Sequence, residues 1–165
     1  MHLLDEKNRH HSGSIYCIAW NANNRVIATG SNDKSIQLQL FDTETCLFAS
    51  TPPIQLKHHR GIVRTLDCSS TQEDVLVSGG TGDFLLRVWN FDQEPNEPIM
   101  SLDGHTNSIC AMQLAKTSDS IISGGMDATI RLWDLRSGCC EKIITKNSSA
   151  LQSIRYVPQK GTKKQ

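Results

Sequence analysis

Nowhere in the 165 residues does an apolar run approach the roughly 20 positions that a membrane-spanning helix needs. The opening stretch MHLLDEKNRHH also lacks the apolar core of about 7–15 residues that a secretory signal carries, so the chain reads as intracellular and cytoplasmic. Net charge is missing too, because 17 basic residues balance 17 acidic ones. That leaves no overall field to steer the chain toward nucleic acid or anionic lipid, and the basic end QKGTKKQ reads as a short solvated tail. No Cys-x-x-Cys pair exists among the six cysteines, which removes the commonest zinc framework. Cys17, Cys68 and Cys110 fall in expected strands, where a reduced thiol packs as a small hydrophobe. Helical spacing of apolar residues is sustained nowhere.

What is present is recurrence. The stretch SGGMDATIRLWDLR, Ser123 to Arg136, sets a small polar turn before an alternating run that closes in Trp-Asp. Twenty-two residues separate His105 from Asp127, and Trp133 lies six beyond that aspartate. His11 and Asp33 repeat the first interval, with Gln39 at the place of the tryptophan; His59 and Asp83 lie twenty-four apart, with Trp89 six further on. Apolar residues follow each histidine at four, seven and nine: Ile15, Ile18 and Trp20, then Val63, Leu66 and Cys68, then Ile109, Met112 and Leu114. A fourth match starts at Asn147 instead of histidine and runs through Leu151, Ile154 and Tyr156. The starts fall 48, 46 and 42 residues apart, close to the roughly 40–45-residue period of propeller blades.

Within each unit, short Ile-, Val- and Leu-rich runs are separated by Gly, Asn and Asp turns, which calls for an all-β fold. Three strands per unit are clear (SIYCIAW, VIATG and SIQLQLF in the first) and a fourth is weaker. The chain divides into a lead-in 1–10, repeats 11–58, 59–104 and 105–146, and an incomplete repeat with a basic tail, 147–165.

Gly104-His105, Ser123, Asp127 and Trp133-Asp134 resemble the signature of WD-repeat β-propellers. The resemblance covers residues 11 to 157 and implies a partial propeller: three four-stranded blades plus the first strand of a fourth, not closed. It also implies that the third-strand indole N–H joins a hydrogen-bonded chain with a second-strand hydroxyl, the histidine and the turn aspartate. Those tetrads are His105, Ser123, Asp127 and Trp133, then His59, Ser78, Asp83 and Trp89. In the first repeat His11, Thr29 and Asp33 remain, and Gln39 interrupts the chain. HSGSIYCIAW, IATGSNDKSI and FDTETC are further similar to the C-terminal propeller of nemitin-like, microtubule-associated WD-repeat proteins. That likeness implies a cytoskeletal protein-interaction scaffold, with microtubule-associated proteins as partners.

Sharper chemistries fare less well. Ser, His and Asp suggest a hydrolase, but a triad needs one strained, exposed serine and a preorganised oxyanion hole, and a trio repeated three times at fixed register reads as structure. Neither catalytic residues nor a cofactor are expected. The pairs His10-His11 and His58-His59 invite a metal, yet adjacent side chains of a strand point to opposite faces and no third ligand is suitably spaced. Arg131 reads as part of a solvated face. The run WDLR, ending in Arg136, resembles the Trp-Asp-x-Arg box by which some WD-repeat proteins dock as substrate receptors on a cullin-RING ubiquitin ligase. Loops before the first strand and between the second and third share one face. They nominate Ser12, Ser14, Asn32, Arg60, Thr106, Asn107 and Met126 as partner contacts. The open ends of the array are expected to invite self-association.

Overall fold

The computed structural model describes residues 10–72, 74–92, 97–115, 119–146 and 149–155. Thirteen strands run along it with no helix among the described residues: β1 (Ile15–Trp20), β2 (Val26–Ser31), β3 (Ile36–Asp42), β4 (Leu47–Phe48), β5 (Ile54–Leu56), β6 (Val63–Cys68), β7 (Val75–Gly80), β8 (Leu86–Asn90), β9 (Pro98–Leu102), β10 (Ile109–Leu114), β11 (Ser120–Gly125), β12 (Thr129–Asp134) and β13 (Cys139–Lys146). They form three antiparallel meanders, β6-β7-β8-β9, β10-β11-β12-β13, and β1-β2-β3 edged by the two short strands β4 and β5. We call these blades two, three and one. Within each blade consecutive strands pair, as hairpin-connected chains favour, except that β4 and β5 both pair with β3.

Strand alternation sends one set of side chains toward each neighbouring blade. Ala28, Ile36, Leu38 and Leu56 of blade one meet Val63, Leu66, Cys68, Leu76 and Trp89 of blade two. The other face of blade two presents Val75, Val77, Leu86, Val88 and Leu102 to Ile109, Met112, Leu114, Ile121 and Trp133 of blade three. At about 1.5–3 kcal/mol for each large apolar side chain removed from water, these two interfaces dominate the stability. Close approach needs glycine at the contact. A Cβ on Gly30 would stand 2.6 Å from the Val63 side chain, and one on Gly79 would stand 2.9 Å from Leu86 and 3.1 Å from Ile109. The Asp67 carboxylate adds a polar tie between blades, accepting from the Leu114 N–H at 2.7 Å.

The face of β1 differs. Ile15, Ile18 and Trp20 occupy the register of Val63, Leu66 and Cys68, yet all three are exposed, because no described blade precedes them. At the other end, a strand is expected from Leu151. Residues 151–155 form none. The segment nonetheless packs on the edge of blade three: the Leu151 N–H donates to the Gly125 carbonyl at 3.1 Å, and Leu151 and Ile154 lie over Gly124. Asn147 and Tyr156, which flank this segment in the repeat, and residues 1–9 of the lead-in lie outside the described residues.

Candidate functional site

One residue past each turn aspartate the backbone is left-handed without glycine, at Lys34, Phe84 and Ala128 with φ of 69°, 58° and 60°. Such a conformation costs an ordinary residue about 1–2 kcal/mol. The aspartate offsets it by accepting from the backbone N–H two residues on: Ser35 to Asp33 at 3.0 Å and Thr129 to Asp127 at 3.1 Å. The turn aspartate thus shapes its own turn before it meets a histidine.

In blade three the four tetrad residues come together. Trp133 Nε1 donates to Ser123 Oγ at 2.8 Å; Ser123 Oγ lies 2.7 Å from His105 Nε2, and His105 Nδ1 lies 2.8 Å from Asp127 Oδ2. An indole can only donate, so the serine oxygen accepts and its hydroxyl hydrogen is free to point at Nε2. A neutral His105 then carries its proton on Nδ1 and donates to the carboxylate. Burial pushes the His105 pKa down and outweighs the pull of Asp127. Burial pushes the Asp127 carboxyl up, but hydrogen bonds from His105, Thr106 and Thr129 prevail and hold it below the usual carboxylate value. Thr129 supports the arrangement from the side: its hydroxyl donates to Asp127 Oδ1 at 2.9 Å and accepts from Arg131 Nε at 3.1 Å. Arg131 is therefore a half-buried partner of Thr129, which corrects its reading as a solvated residue.

Blade two is built differently. Trp89 Nε1 donates to Ser78 Oγ at 2.8 Å and His59 Nε2 lies 2.7 Å from the same oxygen, but no bond joins His59 to Asp83. Arg87 stands between them. It holds Asp83 through two nitrogens, at 3.2 and 2.5 Å, while its Nη1 lies 3.3 Å from His59 Nδ1. Guanidinium has no acceptor, so His59 Nδ1 accepts and the ring proton sits on Nε2, the reverse of His105. Burial, reinforced by the Arg87 charge, brings the His59 pKa down to about 4. Leu85 explains the difference: it occupies the place of Ser35 and Thr129 and offers no hydroxyl, so Asp83 takes the arginine instead. The extra residue in this turn is accommodated by Gly82 at φ 97°.

Blade one keeps the histidine link. His11 Nδ1 lies 2.9 Å from Asp33 and its Nε2 lies 2.9 Å from Thr29 Oγ1, with Ser35 Oγ at 2.6 Å from Asp33. Burial pushes the Asp33 carboxyl up, but bonds from Ser35, His11 and Ser12 draw it well below the usual range. Gln39 is buried and turned elsewhere, its amide donating to the carbonyls of Ala49 at 3.1 Å and Thr51 at 3.3 Å. His10 Nε2 also lies 2.9 Å from Thr29 Oγ1, so the His10 and His11 rings converge instead of pointing apart. They precede β1, where strand alternation does not yet apply. Among the described residues no three His, Cys, Asp or Glu side chains gather where they could hold a metal ion.

These networks fix the loops above them. Asp127 accepts from the Thr106 N–H at 3.1 Å and the Met126 N–H donates to Ser108 at 2.8 Å, so the two loops of blade three are tied together. Asp33 likewise accepts from the Ser12 N–H at 3.0 Å, and the Asn32 N–H reaches the Ser14 carbonyl at 3.1 Å. In blade two Thr81 takes over, its hydroxyl accepting from the Ile62 N–H at 2.7 Å. Ser12, Ser14, Asn32, Arg60, Thr106, Asn107 and Met126 are all exposed on these loops. Arg136 is exposed in the turn after β12, where Nε donates to Asp119 at 2.7 Å. Ser123 and Ser78 are both fully buried, beyond the reach of a substrate. Sequence reasoning missed Arg87, Ser35, Thr129 and the bonds of Gln39. The signal for the first three was the alignment of Ser35, Leu85 and Thr129 two residues after each aspartate.

The WD domain, G-beta repeat family matches residues 5–38, 50–90 and 96–134. Nuclear distribution protein nudF 1 of Talaromyces marneffei is 28% identical over 144 residues, covering 87% of this chain and 30% of its own length. Serine-threonine kinase receptor-associated protein of Dictyostelium discoideum is 33% identical over 139 residues, 84% of this chain and 44% of that protein. Autophagy-related protein 16 of Arabidopsis thaliana is 27% identical over 144 residues, 86% of this chain and 26% of that protein. The chain thus spans less than half the length of each of these relatives.

Proposed function

Because the chain belongs to the WD-repeat (WD domain, G-beta repeat) family, we propose that it is a non-catalytic protein-interaction scaffold acting in a cytoskeleton-associated assembly. The observation that carries this reading is the pairing of buried histidine networks with exposed loops. The polar groups that resemble catalytic residues are committed to one another, and the side chains they leave accessible lie on the loops they hold. Rigid loops of this kind bind with little ordering cost. The microtubule connection draws on the nemitin-like stretches of the first repeat, and on a relative named for nuclear distribution. The partners we propose are microtubule-associated proteins, and the location is cytoplasmic.

The test is co-sedimentation of the chain with microtubules and their associated proteins. Recovery in the pellet, reduced by Arg60→Glu without loss of fold, supports the reading. Recovery unchanged from a microtubule-free control overturns it. A second reading has one observation in its favour: Arg136 presents a guanidinium that is 83% exposed and already oriented by Asp119. Such a group suits docking on a cullin-RING ligase adaptor as a substrate receptor. Capture of that adaptor, lost on Arg136→Ala, would favour it.

A further inference from the structure

The fourth strand of blade one is broken. β4 pairs with β3 through Phe41 and Phe48, the Ala49 N–H still donates to the Leu40 carbonyl at 3.0 Å, and β5 pairs with β3 through Leu38 and Ile54, but Ser50 to Pro53 leave the sheet between them. Blade three has one continuous strand, β13, in that place. Two features of the sequence make the break: Pro52-Pro53, which cannot donate to a ladder, and Gln39, whose amide binds the carbonyls of Ala49 and Thr51. A tryptophan at this position, as in the other blades, has one donor and could not hold two carbonyls. Gln39 therefore builds something as well as interrupting something.

What it builds is a groove of about 370 Å3 where the break faces blade two. Leu40, Pro52 and Ile54 line one wall and Phe91 the other, with Asp74 and Asp92 among the lining residues. Leu40 and Ile54 are 50% and 41% exposed although they are large and apolar. Beyond Leu40 the surface continues through Asp42 and Glu44, with Arg25 beside them. Arg25 belongs to that neighbouring surface and is not among the residues that line the groove, where Asp74 and Asp92 lie.

We propose that this groove is a docking site for an extended segment of a partner protein that inserts one aliphatic or aromatic side chain and flanks it with lysine or arginine. The apolar walls take the inserted side chain, and Asp74 and Asp92 select the cationic neighbours. The site lies away from the loops assigned above and rests on the earlier reading only in that the partner is a protein.

A random peptide library displayed on phage, panned against the 165-residue chain, tests the proposal. The expected consensus is one large apolar residue next to Lys or Arg. A synthetic peptide of that consensus should bind at least about tenfold more weakly to Asp92→Arg and to Leu40→Asp, and equally well to Arg60→Glu. Circular dichroism checks the fold of each variant. Should Leu40→Asp unfold, Asp92→Arg and a peptide with Glu replacing its cations decide the matter. Absence of a consensus, an acidic one, or binding that survives Asp92→Arg overturns the proposal. Binding lost only on Arg60→Glu also overturns it, while leaving the loop face intact as a docking surface.

Discussion

Blades two and three carry histidine, serine, aspartate and tryptophan in the same order, yet their protons are arranged oppositely. In blade three the donors run from Trp133 through Ser123 and His105 to Asp127. In blade two Arg87 donates at both ends of its reach, to Asp83 and to His59, and the imidazole proton turns toward Ser78. The cause is one side chain: Thr129 holds Asp127 and occupies Arg131, while Leu85 does neither for Asp83 and Arg87. A shared motif therefore fixes which groups are buried together, and a neighbour outside the motif decides how they bond.

The comparison breaks most sharply at the arginines. Arg87→Met takes the guanidinium from half-buried Asp83, which keeps the Leu85 N–H, and removes the donor to buried His59 Nδ1, and should cost about 2–3 kcal/mol in urea unfolding. Arg131→Met removes a single bond to Thr129 and should cost under about 1 kcal/mol. Equal losses would show that the two blades do not differ in the way described.

Acid should act on blade two next. His59 has a folded pKa of about 4, below its unfolded value of about 6.5, so the unfolded chain binds the proton first. Its contribution is complete above about pH 6.5 and is lost as the pH falls toward about 4, a change on the order of 3 kcal/mol. His105 shifts in the same direction. Stability curves at several pH values should show this loss, and Arg87→Met should shrink it by removing the charge that opposes protonation.

A smaller effect sharpens the role of Leu85. Adding Leu85→Thr to Arg87→Met supplies the hydroxyl that blade three uses, and should recover about 1 kcal/mol. No recovery would place the difference in the longer turn around Gly82 instead. Last, with no change in stability at all, long-range nitrogen–proton NMR spectra should place the imidazole proton on Nδ1 in His105 and on Nε2 in His59.

Much of this was legible in the residues. The intervals from His59 to Asp83 and from His105 to Asp127 locate the turns, and the apolar positions after each histidine give the interior of blades two and three. Blade one shows the limit. Ile18 obeys the same spacing as Leu66 and Met112 and is nonetheless 62% exposed, since spacing names the face of a strand and says nothing of whether another sheet covers it. Gln39 is read as a loss from the sequence, because its new partners, Ala49 and Thr51, lie in a segment with no periodicity to place it.

By itself the sequence determined an all-β array of blades, since alternating runs and turn residues act locally and repeat at a fixed interval. That serine, histidine and tryptophan would be buried together came from the resemblance to WD-repeat proteins, which the recurrence in register brought into view. Only the tertiary structure decided which donor meets which acceptor. That choice depends on distances between strands brought together from far apart in the chain, where Leu85 and Thr129 differ by one hydroxyl and Arg87 moves to fill the gap.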